Sequence, residues 1–311
     1  MDTIAPYLTI PSNARVAIKI SLAGSKEIYA NTNYKTVDSL IAYLREKFSV
    51  SSIHVVEGAD GALYSGKSTW EIFYKFKYKE VELHDVRLVN LDDLDHNRRL
   101  SVQTLAGLQE ISFVAYEADY LISVVPPKTH YLFPVSLAIP SLCGFVKPED
   151  RALMYGVSFA ELKKLNSFSN EKFSQICKCA AQNFVSLLKQ IPISLVVIDG
   201  LYGMEGKGPI KGSPVFHGFS IASEDPILAD SLTTYVMGFD EEDVPYLNLA
   251  YREGLGYNRW QNVIGVDPPH VRFPYRPHPL FQRQRKWREA NHNQSHEGEP
   301  NDRGGKSGSP H

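Results

Sequence analysis

Four short polar segments follow predicted apolar strands, and their side chains are of the types that bind ligands and move protons. The segments are residues 57–61, 126–130, 199–209 and 223–230. In an open parallel sheet, ligands bind beyond the carboxyl ends of the strands, so these segments mark the expected place of a site. Together they contain carboxylates, a lysine, a histidine and closely spaced glycines, a set that suits an anionic small molecule.

Lys128 and His130 lie at the same strand end, which makes them the candidates for catalysis. The lysine would bind an anionic group of a substrate, and the histidine would move a proton. Arg151 and the backbone N–H groups of three glycines are the candidates for substrate binding. These glycines are Gly203, Gly206 and Gly208. Glycines so closely spaced indicate either a special backbone path or the close approach of a ligand.

Asp199, Glu205 and Glu57 are the candidate ligands of a divalent metal ion, because such ions prefer carboxylate oxygens. Asp199 and Glu205 have a simpler interpretation as residues that cap turns, where aspartate is common. Asp225 precedes a proline and fits a helix N-cap better than a catalytic group. Asp230, one helical turn further on, could be an exposed helix residue. A divalent metal therefore remains an open expectation.

Residues 61–68 match the phosphate-binding pattern GxxxxGK[ST] in full. The segment follows a strand signal and precedes a helical one, and a later apolar strand ends in an aspartate that could hold Mg²⁺. Two residues argue against this interpretation. Asp60 would put a like charge beside the phosphates, and Tyr64 is bulky for a loop that wraps them. Nucleotide binding through Lys67 and Ser68 is therefore an alternative function.

The composition is that of an ordinary globular protein. The chain has 311 residues, of which 43% are hydrophobic and 22% charged, and its formal net charge is −2. This balance argues against an electrostatic nucleic-acid binder. No apolar run approaches the roughly 20 residues that a membrane helix needs, and the N-terminus lacks the pattern of a secretory signal. We therefore expect neither a membrane nor a nucleic acid as partner.

The small number of cysteines limits the redox chemistry that the chain could perform. Only Cys143, Cys177 and Cys179 occur, which is too few for a disulfide scaffold. Three thiolates also fall short of the four that usually hold an iron–sulfur cluster. We expect no iron–sulfur cluster within the chain, and a reducing cytoplasm is the simplest location.

Strand and helix signals alternate along the first 280 residues. Apolar residues recur at spacing two over 16–22 and at helical spacing over 37–48, and the longest helical stripe spans 173–188 after a predicted N-cap at Asn170. Further strand-like runs are 53–56, 86–91, 111–116, 120–125, 193–198 and 219–222. This alternation predicts one α/β domain over residues 1–280, with a mainly parallel sheet and helices on both faces.

The C-terminal residues 281–311 have no such pattern. They are polar, with a basic cluster at Arg283, Arg285, Lys286 and Arg288 followed by an acidic stretch. Such a segment buries too little apolar surface to offset the entropy of ordering it, so we predict a disordered tail. A tail of this kind could bind a protein partner. A non-catalytic accessory or redox-partner protein is therefore the second alternative function.

Three stretches of the chain, residues 117–130, 198–209 and 222–230, resemble the domain-of-unknown-function 362 family. The resemblance extends over roughly residues 14–266, and residues 199–209 are its most specific part. It implies a largely unassigned biochemical role. Many members carry ferredoxin-like iron–sulfur modules, which this chain lacks.

The chain departs from the family after His130. Members usually show a Lys-Asn pair before a glycine, and here the corresponding stretch is residues 139–144, Ile-Pro-Ser-Leu-Cys-Gly. The resemblance therefore implies either a divergent small-molecule enzyme or a catalytically inactive relative. The first is our leading expectation, although neither reaction nor substrate is named by the sequence.

Overall fold

A computed structural model describes residues 4–23, 27–60, 66–82, 85–260 and 263–288. Its strands are β1 (Ala14–Ile20), β2 (Val50–Glu57), β3 (Arg87–Asn90), β4 (Arg98–Thr104), β5 (Gly107–Phe113), β6 (Tyr120–Val125), β7 (Lys128–Thr129), β8 (Val135–Ser136), β9 (Leu195–Glu205) and β10 (Ser213–Ser223). In this described part, eight strands form one sheet in the order β3-β2-β1-β6-β9-β7-β8, with β10 paired to β9. Strands β4 and β5 form a separate hairpin. The main sheet is mainly parallel, as predicted; its antiparallel pairs are β9–β10 and β7–β8.

Helices cover both faces of this sheet, as the sequence predicts. The described α-helices are α1 (Tyr34–Lys47), α2 (Thr69–Lys75), α3 (Lys79–Glu82), α4 (Ala138–Ser141), α5 (Arg151–Met154), α6 (Phe159–Leu162), α7 (Asn170–Gln190), α8 (Pro226–Val236), α9 (Pro245–Arg252), α10 (Pro268–Val271) and α11 (Phe281–Gln284). Side chains of α1 share one apolar core with Val16 and Ile18 of β1. Those of α7 share the other core with Ala17, because successive strand residues point to opposite faces. None of the described helices has both the length and the apolar content that a bilayer span requires.

Two helix starts show how the sequence sets the element bounds. Asp225 is the N-cap of α8, as predicted, and its side chain accepts hydrogen bonds from the N–H groups of Ile227 and Leu228. Helix α7 begins one residue earlier than expected from the predicted N-cap at Asn170. Ser169 is its N-cap and accepts from the N–H of Lys172, so Asn170 is the first helical residue.

Strand β9 is longer than the predicted strand 193–198, and this changes the meaning of the glycine-rich stretch. Residues 199–205 are not a loop beyond a strand end, because they continue β9 and pair with β10. A Cβ on Gly200 would lie 2.4 Å from the ring of Phe219, so glycine is what permits this close pairing. Cross-strand pairing thus outweighs the low strand propensity of these residues.

The predicted tail begins too early. Residues 281–288 pack on the domain: Trp287 is buried, and its indole N–H donates to the carbonyl of Asp243 (3.0 Å). Arg288 pairs with the carboxylate of the same aspartate, and Arg283 lies over the ring of Phe173. Arg285 pairs with Asp243 as well, so three of the four basic residues in the predicted partner-binding cluster are used within the domain. The remaining tail residues, 289–311, lie outside the described residues.

Candidate functional site

A small cavity lies where the order of the sheet reverses. From β1 the chain proceeds to β2 on one side, whereas β6 lies on the other side of β1. In open α/β sheets, such a switch point leaves a crevice beyond the carboxyl ends of the two central strands. The cavity has a volume of about 30 Å³. Its charged and titratable lining residues are Lys19, Glu57, Asp60, Lys128, His130 and Tyr155.

Lys19 and Glu57 form a buried ion pair at the side of the cavity. The Lys19 Nζ lies 3.0 Å from Glu57 Oε1 and also donates to the carbonyl of Ile20. The other carboxylate oxygen of Glu57 accepts from the N–H of Leu22 (2.9 Å). Burial raises the pKa of Glu57, and the charge of Lys19 opposes this rise. Each partner is thus held by hydrogen bonds, which a buried charge requires.

Lys128 is buried beside this pair but has a weaker partner. Its Nζ donates to the hydroxyl of Ser21 (3.1 Å), and none of the described carboxylates lies within ion-pair distance of it. Burial lowers the pKa of Lys128 to about 7. The charges of Glu57 and Asp60 oppose this fall, and the charge of Lys19 adds to it. A lysine of this kind can exchange a proton near neutral pH.

His130 is fixed in one tautomer. Its Nδ1 accepts hydrogen bonds from the N–H groups of Leu132 and Phe133, at 3.1 and 3.4 Å, so the proton of the neutral ring is on Nε2. The ring stacks on Tyr131, with centroids 4.1 Å apart. Burial lowers the pKa of His130 to about 3. At neutral pH the ring is therefore a neutral N–H donor.

Arg151 holds the wall of the cavity together. Its guanidinium donates to the carbonyls of Val146, Ala59 and Gly144 and pairs with Asp92. It also lies 3.9 Å from the carboxylate of Asp60, so all of its contacts are to the protein, and the side chain is 1% exposed. Arg151 was predicted to bind substrate; the structure places it behind the cavity instead, where it joins three loops.

The three predicted substrate-binding glycines make close contacts with the protein itself. A Cβ on Gly203 would lie 2.8 Å from the carbonyl oxygen of Pro127, and one on Gly208 would lie 2.1 Å from that of Thr129. Gly206 has φ +75°, which a side chain disfavours. The sequence left two explanations for these glycines, a special backbone path and the close approach of a ligand. These contacts support the special backbone path. They let the end of β9 pack against the segment that carries Lys128.

The three predicted metal ligands are not brought together. Asp199 accepts from the hydroxyl of Thr36 (2.7 Å), Glu205 accepts from the N–H of Arg276 (2.8 Å), and Glu57 pairs with a lysine. Asp199 and Glu205 are six residues apart on one strand, which separates them by about 20 Å. In the part of the chain that the structure describes, no group of three His, Cys, Asp or Glu residues could hold a metal ion.

Asp230 is buried, which rules out the alternative interpretation as an exposed helix residue. Its carboxylate accepts from the N–H groups of Ala138 and Ile139, at 2.9 and 3.0 Å. Burial raises the pKa of Asp230 to about 7. These bonds tie α8 to the first turn of α4, whose Pro140 and Ser141 line the cavity.

A family model described as Domain of unknown function (DUF362) matches residues 16–235, more than two thirds of the chain. The chain belongs to this family. The resemblance stated from the sequence is therefore confirmed, and all the residues that line the cavity lie within the matched range.

Two further proteins are similar to this DUF362 chain. Thylakoid-associated protein sll1697 from Synechocystis sp. is 26% identical over 148 residues, which are 48% of this chain and 41% of that protein. The chain thus matches less than half the length of this curated relative. The structure of the lactate racemase apoprotein from Thermoanaerobacterium thermosaccharolyticum superposes with a TM-score of 0.47 and 13% identity, covering 73% of this chain and 50% of that one.

The phosphate-loop pattern is only partly described in this DUF362 chain. Residues 61–65 lie outside the described residues. Ser68 is the N-cap of α2: its side chain accepts from the N–H of Glu71, and Glu71 returns a bond to the N–H of Ser68. This capping box gives the serine a structural role that explains its place before the helix.

Sequence reasoning missed Lys19 and Gly144. Lys19 lies in the otherwise apolar, buried part of β1, residues 16–20, and a charged residue there is a signal that could have been used. Gly144 has a different role, since a Cβ there would lie 2.7 Å from Glu57 Oε1 and 2.9 Å from Lys19 Cε. Only the tertiary structure reveals that contact.

Proposed function

We propose that this DUF362 protein is a small-molecule enzyme whose substrate places an anionic group in the switch-point cavity, against Lys128 and His130. One observation carries the proposal: the buried ammonium of Lys128 faces a cavity with a serine hydroxyl as its side-chain partner. A buried charge without a counter-ion is costly. An anionic group in the cavity would supply that counter-ion.

The roles of the two candidate residues differ from those expected from the sequence. His130 would donate a hydrogen bond from Nε2 to the anionic group of the substrate. It would not take up a proton, because its pKa is near 3. Lys128, with a pKa near 7, is the better proton-transfer group. A volume of about 30 Å³ holds about two water molecules, so the cavity suits a carboxylate or similar group, with the rest of a substrate outside it.

A metal is not part of this proposal, since the residues predicted as ligands are engaged elsewhere.

The three cysteines are free and buried, which suits a reducing compartment such as the cytoplasm. The name of the Synechocystis relative describes that protein as thylakoid-associated, and we assign no such location to this chain.

Binding of small anions should depend on pH in a stated direction. We expect formate, acetate or pyruvate to bind with an affinity that is constant from about pH 6 to 7, where these ligands stay ionised, and falls about tenfold per pH unit above pH 7. The reason is that the free site loses the charge of Lys128 as the pH rises through its pKa of about 7. Isothermal titration calorimetry in two buffers of different ionisation enthalpy would also count the proton taken up at higher pH.

Lys67→Ala provides the control that separates this site from the phosphate-loop alternative. Lys67 is exposed and does not line the cavity, so small-anion binding should be unchanged in the variant. ATP binding that is tight in the wild type and lost in Lys67→Ala would show that the phosphate loop is the functional site.

A further inference from the structure

The hydroxyl of Ser21 contacts the amine of Lys128, an arrangement that anion binding alone does not require. Ser21 is the first residue beyond β1, and it lines the switch-point cavity together with Lys128. Its Oγ lies 3.1 Å from Lys128 Nζ, and among the described residues only this lysine hydrogen-bonds the hydroxyl. A serine hydroxyl within hydrogen-bond reach of an amine is the geometry of a nucleophile and its base.

The backbone of Ser21 is held in place by Thr32. The N–H of Ser21 donates to Thr32 Oγ1, and the carbonyl of Ser21 accepts from the N–H of Thr32, both at 2.9 Å. Thr32 Oγ1 donates in turn to the carbonyl of Val124 in β6 (2.7 Å). Ser21 is half-buried, whereas Lys128 is 2% exposed. A substrate that approaches from solvent therefore reaches the serine more readily than the lysine.

We propose that Ser21 is the nucleophile of an acyl-transfer reaction and that Lys128 is its general base, with carboxylic esters and thioesters as the substrate class. This inference rests on the proposed function, because it uses the same cavity and the same lysine. The neutral amine of Lys128 takes the hydroxyl proton while Ser21 Oγ forms a bond to the acyl carbon. The bond from that carbon to the alcohol or thiol then breaks, and Lys128 gives its proton to this leaving group.

Water completes the reaction and restores the serine. It attacks the acyl carbon with Lys128 again as the base, the bond to Ser21 Oγ breaks, and Lys128 returns a proton to Oγ. The carboxylic acid that is released passes its own proton to the Lys128 amine. The product is thus a carboxylate beside an ammonium, which is the pairing that the proposed function describes.

The cavity suits the negative charge that develops on the acyl oxygen. Its volume of about 30 Å³ holds about two water molecules, so an oxygen atom fits where a whole substrate does not. His130 also lines the cavity, and its neutral ring carries the proton on Nε2. A fixed N–H donor of this kind stabilises the oxyanion of a tetrahedral intermediate.

The charges around Lys128 set the pH at which it acts as a base. Burial lowers its pKa most, the charges of Glu57 and Asp60 raise it, and the charge of Lys19 lowers it further, to a value of about 7. The reaction of Ser21 should therefore speed up about tenfold per pH unit below pH 7 and level off above it. This direction is opposite to that of anion binding, which needs the charged amine.

A fluorophosphonate probe tests the nucleophile in the full chain. The probe reacts with activated serines: Oγ forms a bond to phosphorus, and fluoride leaves. Mass spectrometry of the digested protein locates the label. We expect the label on Ser21, with the pH dependence given above, and a loss of p-nitrophenyl acetate hydrolysis in step with labelling. No label on Ser21, no hydrolysis, or a labelling rate that does not change below pH 7 would overturn the inference.

Three variants assign the two roles. Ser21→Ala should lose both the label and the hydrolysis. Lys128→Met keeps the hydroxyl and should be labelled about a hundredfold more slowly, because the base is gone. Ser101 is exposed on the separate hairpin, and Ser101→Ala should be labelled at the rate of the wild type. Equal rates for Lys128→Met and the wild type would show that the lysine is not the base.

Acetate binding to the wild type separates this inference from the proposed function. Protein that binds acetate but is not labelled at Ser21 contradicts the nucleophile and leaves the proposed function in place. Protein that is labelled at Ser21 but binds no acetate supports the nucleophile and contradicts the proposed function. Both measurements and the pH profile use the wild type, so a variant that fails to fold does not affect them.

Discussion

Replacing Lys128 with methionine is expected to abolish anion binding and to raise the free energy of unfolding below neutral pH by about 1–2 kcal/mol. The Lys128 side chain is 2% exposed and has a serine hydroxyl as partner. Methionine has a similar length and carries no charge, so it removes the cost of burying one. Urea unfolding of both proteins measures the change. Lys35→Met, at an exposed helix position, is the control and should change stability by less than about 0.5 kcal/mol.

The gain in stability should shrink as the pH rises. Burial lowers the pKa of Lys128 from 10.5 to about 7, so between these values the unfolded chain holds a proton that the folded chain has released. The wild type therefore becomes more stable as the pH rises from about 7 towards 10.5, whereas Lys128→Met lacks this dependence. A stability difference that stays constant across this range would contradict the assignment of Lys128 as a buried amine with a lowered pKa.

The place of the proposed site follows from the sequence, whereas the residues that line its cavity follow from it only in part. Lys128 and His130 were found because they follow an apolar strand, and parallel topology puts such residues at one edge of the sheet. The roles that we propose for them are the reverse of those expected from the sequence, because the two backbone N–H groups that fix Nδ1 of His130 come from a local turn that the pattern does not reveal. The desolvation that lowers both pKa values depends on the packed cavity.

Asp199 and Glu205 illustrate a different error. The apolar run ends at Ile198, so these residues were expected to follow the strand end at the site. The strand continues through them because β10 pairs with it, and β10 lies at the sheet edge, with its side chains half-exposed. Residues 199–205 contain no apolar run that would indicate a strand. Whether they form one depends on pairing with β10, which is a separate segment of the sequence.

Replacing Trp287 with alanine is expected to lower the free energy of unfolding by about 3–5 kcal/mol. The side chain is 6% exposed and belongs to the core that α7 shares with the sheet. Its loss leaves a cavity and also removes the indole hydrogen bond to the carbonyl of Asp243. Thermal and urea unfolding of the full chain measure the effect. Gln282→Ala, at an exposed position of the same segment, should change stability by less than about 0.5 kcal/mol.

The same substitution should also weaken anion binding, because the C-terminal segment contacts the site. Gln284 is buried, and its side-chain amide donates to the carbonyl of His130 (2.6 Å). Trp287 anchors the segment that carries this glutamine, so its loss loosens the backbone that fixes the histidine ring. If Trp287→Ala were no less stable than Gln282→Ala, residues 281–288 would behave as the disordered tail that their polar sequence predicts. If it were less stable but bound anions normally, the segment would support the core without positioning His130.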